Sequence, residues 1–245
     1  MDLIVNVIVG ALVGIIINYL ADVLPITRRL TRPICLNCGK PFTLREYLIS
    51  FKCSKCGNKT PARVIIVLSL SILCSVLLDF FPLVGLNFWA TLPLLIFLGL
   101  ILVIDIEYRV VLKETSYVGL GLMFVYGFVL HEFLPTLIGG AAGLMIMLAL
   151  YYLGILFNKI MSRIRGQEID EVALGFGDVY VTTFLGFLTG WPAIIAVLLL
   201  AILASGVFSL FYILIKSILR KYQSFSAIPY TPFLILAAVA ILFLY

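Results

Sequence analysis

Long uncharged runs, most of them near the length of a bilayer crossing, limit this chain more than any other feature. Stretches free of Asp, Glu, Lys and Arg lie at 3–21, 64–78, 80–104, 115–130, 133–157, 179–215 and 224–245. A crossing takes about 20 mostly apolar residues. The run 179–215 is too long for one crossing and is interrupted at Gly190-Trp191-Pro192, so it reads as two, giving eight expected crossings. Composition agrees: 63% of the 245 residues are hydrophobic, 12% are charged and the mean hydropathy is +1.21, more than a soluble core can hide. The expected fold is all-α and polytopic in a membrane.

The 17 Lys and Arg residues fall in alternate loops. Arg28 to Arg63 follow the first crossing, Arg109 and Lys113 the third, Lys159 to Arg165 the fifth, and Lys216 to Lys221 the seventh. Short loops rich in these residues stay on the cytoplasmic side, so both termini are expected outside. The net charge of +5 is then explained by topology and by attraction to anionic inner-leaflet lipid, not by nucleic acid. The first run lacks a basic start and is followed by Pro25 and Arg28-Arg29 instead of a small-residue cleavage site, so it reads as a retained crossing.

Residues 26–63 form the one long polar segment. Within it Cys35-Leu36-Asn37-Cys38 and Cys53-Ser54-Lys55-Cys56 make two CxxC pairs 14 residues apart, a spacing that suits zinc. Gly39 and Gly57, each just after the second cysteine of its pair, permit the tight turn a metal knuckle needs. Paired disulfides are the alternative, but a positive cytoplasmic loop lies in a reducing compartment. Four thiolates close the coordination sphere, leaving no position for a reactive water, so the expected role is a structural staple. Cys74, inside an apolar run, reads as a packing residue.

Ionisable groups at the ends of crossings are costly and invite a functional reading. Asp105 ends the third crossing, with Glu107 two residues on, and Asp178 opens the sixth after Gly175-Phe176-Gly177. Topology brings both aspartates to the cytoplasmic face. Two carboxylates sharing a proton suit peptide hydrolysis: one activates water while the other donates to the scissile carbonyl. Gly175 and Gly177 lack a Cβ, which would let the backbone turn and a substrate strand approach. A glycine turn before an acid is also an ordinary helix start, so GxGD alone is a weak signal. His131 is the single histidine, in an expected solvated external loop, and it removes zincin and Ser-His-Asp chemistry from the cytoplasmic side. A proton-coupled transporter is the rival class, but it predicts mid-span acids and repeated halves.

Together these residues resemble the type IV prepilin peptidases, bacterial inner-membrane enzymes that process pilin-like proteins. The resemblance runs through Gly10, Gly14, Asn18 and Leu24-Pro25, the four cysteines, Ile104-Asp105, Gly175-Phe176-Gly177-Asp178, Leu185-Gly186, Gly190-Trp191 and Ile228-Pro229-Tyr230-Thr231-Pro232-Phe233. Departures are Val111-Leu112-Lys113 where Ile-Pro-Asp is usual, Val23 for arginine, Ile15 for serine and Thr231 for glycine. The resemblance implies that Asp105 and Asp178 are catalytic, that Gly175, Gly177 and Glu107 support them, and that Cys35, Cys38, Cys53 and Cys56 hold zinc. It further implies removal of a basic leader after a glycine of a prepilin, and S-adenosylmethionine-dependent N-methylation of the new terminus; a peptidase-only relative is the alternative. Expected organisation is a first helix over 1–25, a zinc-binding loop over 26–63 and a seven-helix core over 64–245. Glu168, Asp170 and Glu171 form an acidic run before Asp178 that would attract a basic leader, although a solvated loop is the plainer reading.

Overall fold

The computed structural model describes residues 3–35, 37–43, 46–47, 53–57, 62–165, 175–218 and 229–244. Among them are eight helices and no named strand: α1 (Leu3–Thr27), α2 (Arg63–Phe80), α3 (Phe88–Tyr108), α4 (Lys113–His131), α5 (Phe133–Arg165), α6 (Phe176–Thr189), α7 (Ala193–Ile218) and α8 (Thr231–Leu244). Each expected crossing corresponds to one helix, and the long run divides where expected, between α6 and α7. Five of the helices, α1, α2, α3, α5 and α7, are long and apolar enough to cross a membrane. At 14 residues, α6 and α8 are each about 21 Å long, short of a hydrocarbon core of about 30 Å.

The chain divides into two compact units, Met1–Tyr108 and Arg109–Tyr245. In lipid, helices gain little from hiding apolar side chains from one another, so close approach at small residues must hold them together. In the first unit α1 lies on α2 through Gly10 and Gly14. A Cβ at Gly10 would stand 2.6 Å from the Ile72 Cα, and one at Gly14 would stand 3.0 Å from the Leu68 Cα. One turn on, the buried Asn18 amide donates to the Gly14 carbonyl at 2.9 Å and to the Val64 carbonyl at 3.2 Å, tying α1 to the first turn of α2. The spaced glycines and asparagine of the N-terminal sequence are thus a packing device.

In the second unit α6 is the central helix, with Val181, Phe184, Leu185 and Leu188 wholly buried. Helix α5 presses against it backbone to backbone: a Cβ at Gly186 would lie 2.4 Å from the Gly139 carbonyl oxygen, and one at Gly143 would lie 2.7 Å from that of Thr182. On its other side, α4 meets α6 where a Cβ on Gly127 would fall 1.9 Å from the Phe187 oxygen. Helix α6 ends at Gly190, whose φ of 69° is open to glycine at little cost.

His131 departs from its expected place in a solvated loop. It is the last residue of α4 and half-buried, its ring hydrogen-bonded to the Leu188 backbone and packed over Gly190, where a Cβ would stand 3.1 Å from the imidazole. The missing Cβ at Gly190 makes room for the ring.

Candidate active site and metal centre

The four cysteines of the polar segment converge. Their Sγ atoms all lie within 4.8 Å of one another, with Cys35 to Cys56 at 3.6 Å and Cys38 to Cys53 at 3.5 Å. A tetrahedron with metal–sulfur bonds of about 2.3 Å has edges of roughly 3.8 Å, so the set fits zinc, whereas a disulfide at about 2.05 Å is excluded for these separations. Both pairs form the same knuckle. The Gly39 N–H donates to the Cys35 carbonyl at 2.8 Å and the Gly57 N–H to the Cys53 carbonyl at 2.9 Å, with glycine φ of 68° and 67°.

Within each knuckle the first sulfur receives backbone N–H groups. Those of Cys56 and Lys55 bring the Cys53 thiol down to about 6, and those of Asn37 and Cys38 lower Cys35. Cys38 moves the other way, to about 11: the Lys40 N–H favours its thiolate, but burial and the crowding of the other three sulfurs outweigh it. Sulfurs this close repel one another as thiolates, and a cation at their centre removes that cost. Beside them Glu46, accepting from Ser54 and from Thr43, is held at about 2.

A second polar cluster joins this segment to its helices. Arg63, first residue of α2, forms ion pairs with Asp22 of α1 and Glu107 of α3, and the buried Tyr47 hydroxyl donates to the other Asp22 oxygen. Burial and the Asp22 carboxylate push the Tyr47 phenol up. In the sequence Arg63 is only one loop cation among many. Its pairing depends on three helix ends meeting, which no spacing rule reveals. Glu107, which the resemblance implies supports the aspartates, sits in the last turn of α3 as an Arg63 partner.

Asp105 lies in the same last turn, 7% exposed, beside the buried Val103 and Ile104. Asp178 is the third residue of α6 and is 9% exposed. Its backbone N–H donates to the Gly175 carbonyl at 3.1 Å, and in return Gly175 N–H donates to Asp178 Oδ2 at 3.2 Å. This reciprocal pair satisfies a donor that a helix start leaves open. Thr231 Oγ1, from the start of α8, donates to Asp178 Oδ1 at 2.7 Å. The Tyr230 hydroxyl is buried next to the same carboxylate, and burial together with that charge moves the phenol up to about 12.

The glycines of the GxGD element act differently from the expected sharp turn. Gly175 has φ −73° and ψ 146°, an extended geometry open to any residue. Gly177 is needed for space: a Cβ there would stand 2.8 Å from Val111 Cβ. Glu168, Asp170 and Glu171 lie outside the described residues. For S-adenosylmethionine the described residues assign no binding set.

Residues 92–210 match the model of the Type IV leader peptidase family. No curated protein and no solved structure matches the chain. The matched stretch opens in α3 ahead of Asp105 and closes in α7, so it takes in both aspartates and the whole of α4, α5 and α6. Over that stretch, which carries both buried acids on helix ends, the chain is similar to the type IV leader peptidase family.

Proposed function

We propose that Asp105 and Asp178 are the catalytic pair of an endopeptidase that removes the basic leader of prepilin-like proteins after a glycine. The observation that carries this reading is the family match, which encloses both residues. The two carboxylates differ in a way that divides the labour. Asp178 stands in the first turn of α6, where the helix dipole and two donors stabilise negative charge, while Asp105 stands in the last turn of α3, where the dipole opposes it. Asp178 is then the base and Asp105 the proton donor.

In the reaction, the Asp178 carboxylate takes a proton from water as the oxygen attacks the scissile carbonyl carbon, and Asp105 delivers its proton to the carbonyl oxygen. The tetrahedral diol then collapses as the Asp105 carboxylate takes back a proton from one of its hydroxyls, the C–N bond breaks, and the proton held by Asp178 passes to the leaving amine. Bound zinc supplies a fixed crosslink among Cys35, Cys38, Cys53 and Cys56 and takes no part in these steps. All eight helices belong to the bilayer in this reading, as a first helix, a zinc loop and a seven-helix core in a bacterial cytoplasmic membrane, with the site at the cytoplasmic face and both termini outside. Glu168, Asp170 and Glu171 attract the basic leader, and the new N-terminus is methylated from S-adenosylmethionine.

The test is co-expression with a prepilin-like precursor. Asp105→Asn and Asp178→Asn are each expected to lower leader removal by roughly 10²–10⁴-fold or more, and full processing by either variant would overturn the pair. The mass of the processed N-terminus, with or without one added methylene, decides methylation. Neutralising all three loop acids should slow processing at low salt more than at high salt; equal effects would remove their role.

A further inference from the structure

Threonines inside α6 spend their hydroxyls locally. Thr182, Thr183 and Thr189 each donate to the carbonyl one turn back, those of Asp178, Val179 and Leu185, at 2.8, 2.7 and 2.9 Å. This is the usual destination for a helical threonine in an apolar setting. Thr231 does otherwise. It is the first residue of α8, with no preceding turn to bond back to, and it is fully buried at 0% exposure. Its hydroxyl reaches across 53 residues of sequence to a carboxylate oxygen.

We propose that Thr231 is a positioning residue for Asp178, locking the carboxylate plane from α8 so that each oxygen presents one remaining lone pair to water and substrate. An ionised carboxylate offers about four acceptor sites. Gly175 N–H occupies one on Oδ2 and Thr231 Oγ1 one on Oδ1, from two different elements of the same unit. A single donor leaves the carboxyl free to rotate about its terminal torsion, which has a broad and shallow profile. Two donors on opposite oxygens remove that rotation. Helix α8 rests on α6, and Pro232 directly follows Thr231, so the donor is itself placed by a rigid helix start. Preorganisation of this kind acts on the chemical step and leaves substrate binding alone.

The inference rests on Asp178 being the proposed base. It is tested with the full-length protein in detergent micelles or nanodiscs, acting on a precursor with a basic leader, a glycine and a following apolar helix. Thr231→Val keeps the shape and deletes the donor, Thr231→Ser keeps the donor, and Asp178→Asn serves as reference. Thr231→Val is expected to lower kcat by roughly 10–100-fold with KM changed by less than about 2-fold, and Thr231→Ser to restore most of it. Wild-type kcat in Thr231→Val, or an equal loss in both threonine variants, would overturn the positioning role while Asp178→Asn remained inactive. An active Asp178→Asn would instead bring down the catalytic assignment beneath it.

Discussion

The four-cysteine segment and the α4–α5–α6 packing both hold polar groups at fixed positions, the first by ligation and the second by direct backbone contact. Among the described residues of the segment few side chains are buried: Cys35, Tyr47 and Cys53 are, and two of these belong to the four cysteines that could hold a metal ion. So few buried side chains offset little of the entropy of ordering these residues, and a cation held by the four cysteines would supply the difference. Around α6 the opposite holds. No ligand is called for, because Gly127, Gly139, Gly143 and Gly186 let neighbouring backbones touch, and the dispersion gained along three helices does the rest. The polar segment would therefore depend on an outside component, whereas the helices depend on the absence of side chains.

Removing metal should expose that contrast most strongly. Structural zinc sites of this type contribute about 10–16 kcal/mol in isolated peptides. Chelation, or Cys53→Ser, is expected to abolish the thiolate-to-cobalt absorption of the cobalt-loaded protein and to open Lys40 and Lys55 to trypsin, with helical circular dichroism largely kept. Loss of the helical signal together with the metal would mean that the helices also depend on it. A smaller effect is expected from Gly186→Leu, which drives a side chain into the Gly139 carbonyl and should cost about 4 kcal/mol or more. Thermal unfolding in detergent should shift down or vanish while cobalt absorption persists, and an unchanged transition would refute the contact. The smallest effect belongs to Arg63→Met. Its pairs with Asp22 and Glu107 are partly exposed, so a loss of about 1–2 kcal/mol is expected. Adding Asp22→Asn to Arg63→Met should recover part of it, since the uncompensated charge is then gone.

Much of this molecule can be read along the chain because its strongest signals are local. The lengths of the apolar runs gave the helices, Gly190-Trp191-Pro192 gave the break between α6 and α7, and the CxxC spacing gave the metal knuckles with their left-handed glycines. Other residues were visible but read for the wrong reason. Gly177 looked like a turn residue and is a spacer against Val111; His131 looked solvated and is packed on Gly190. A glycine's purpose depends on what lies where its Cβ would be, which is a property of the neighbour and not of the glycine.

By itself, then, the sequence determined that this is an all-helical chain with several helices of membrane-crossing length, that four cysteines share one site, and that two acids end up on helix termini inside a leader-peptidase pattern. Those properties follow from hydropathy, periodicity and short-range spacing. Only the tertiary structure decided that Arg63 ties three helix ends and that Thr231 gives its hydroxyl to Asp178. Hydrogen bonds and ion pairs act over about 3 Å in space, and which side chains come that close is fixed by helix packing, not by their distance along the chain.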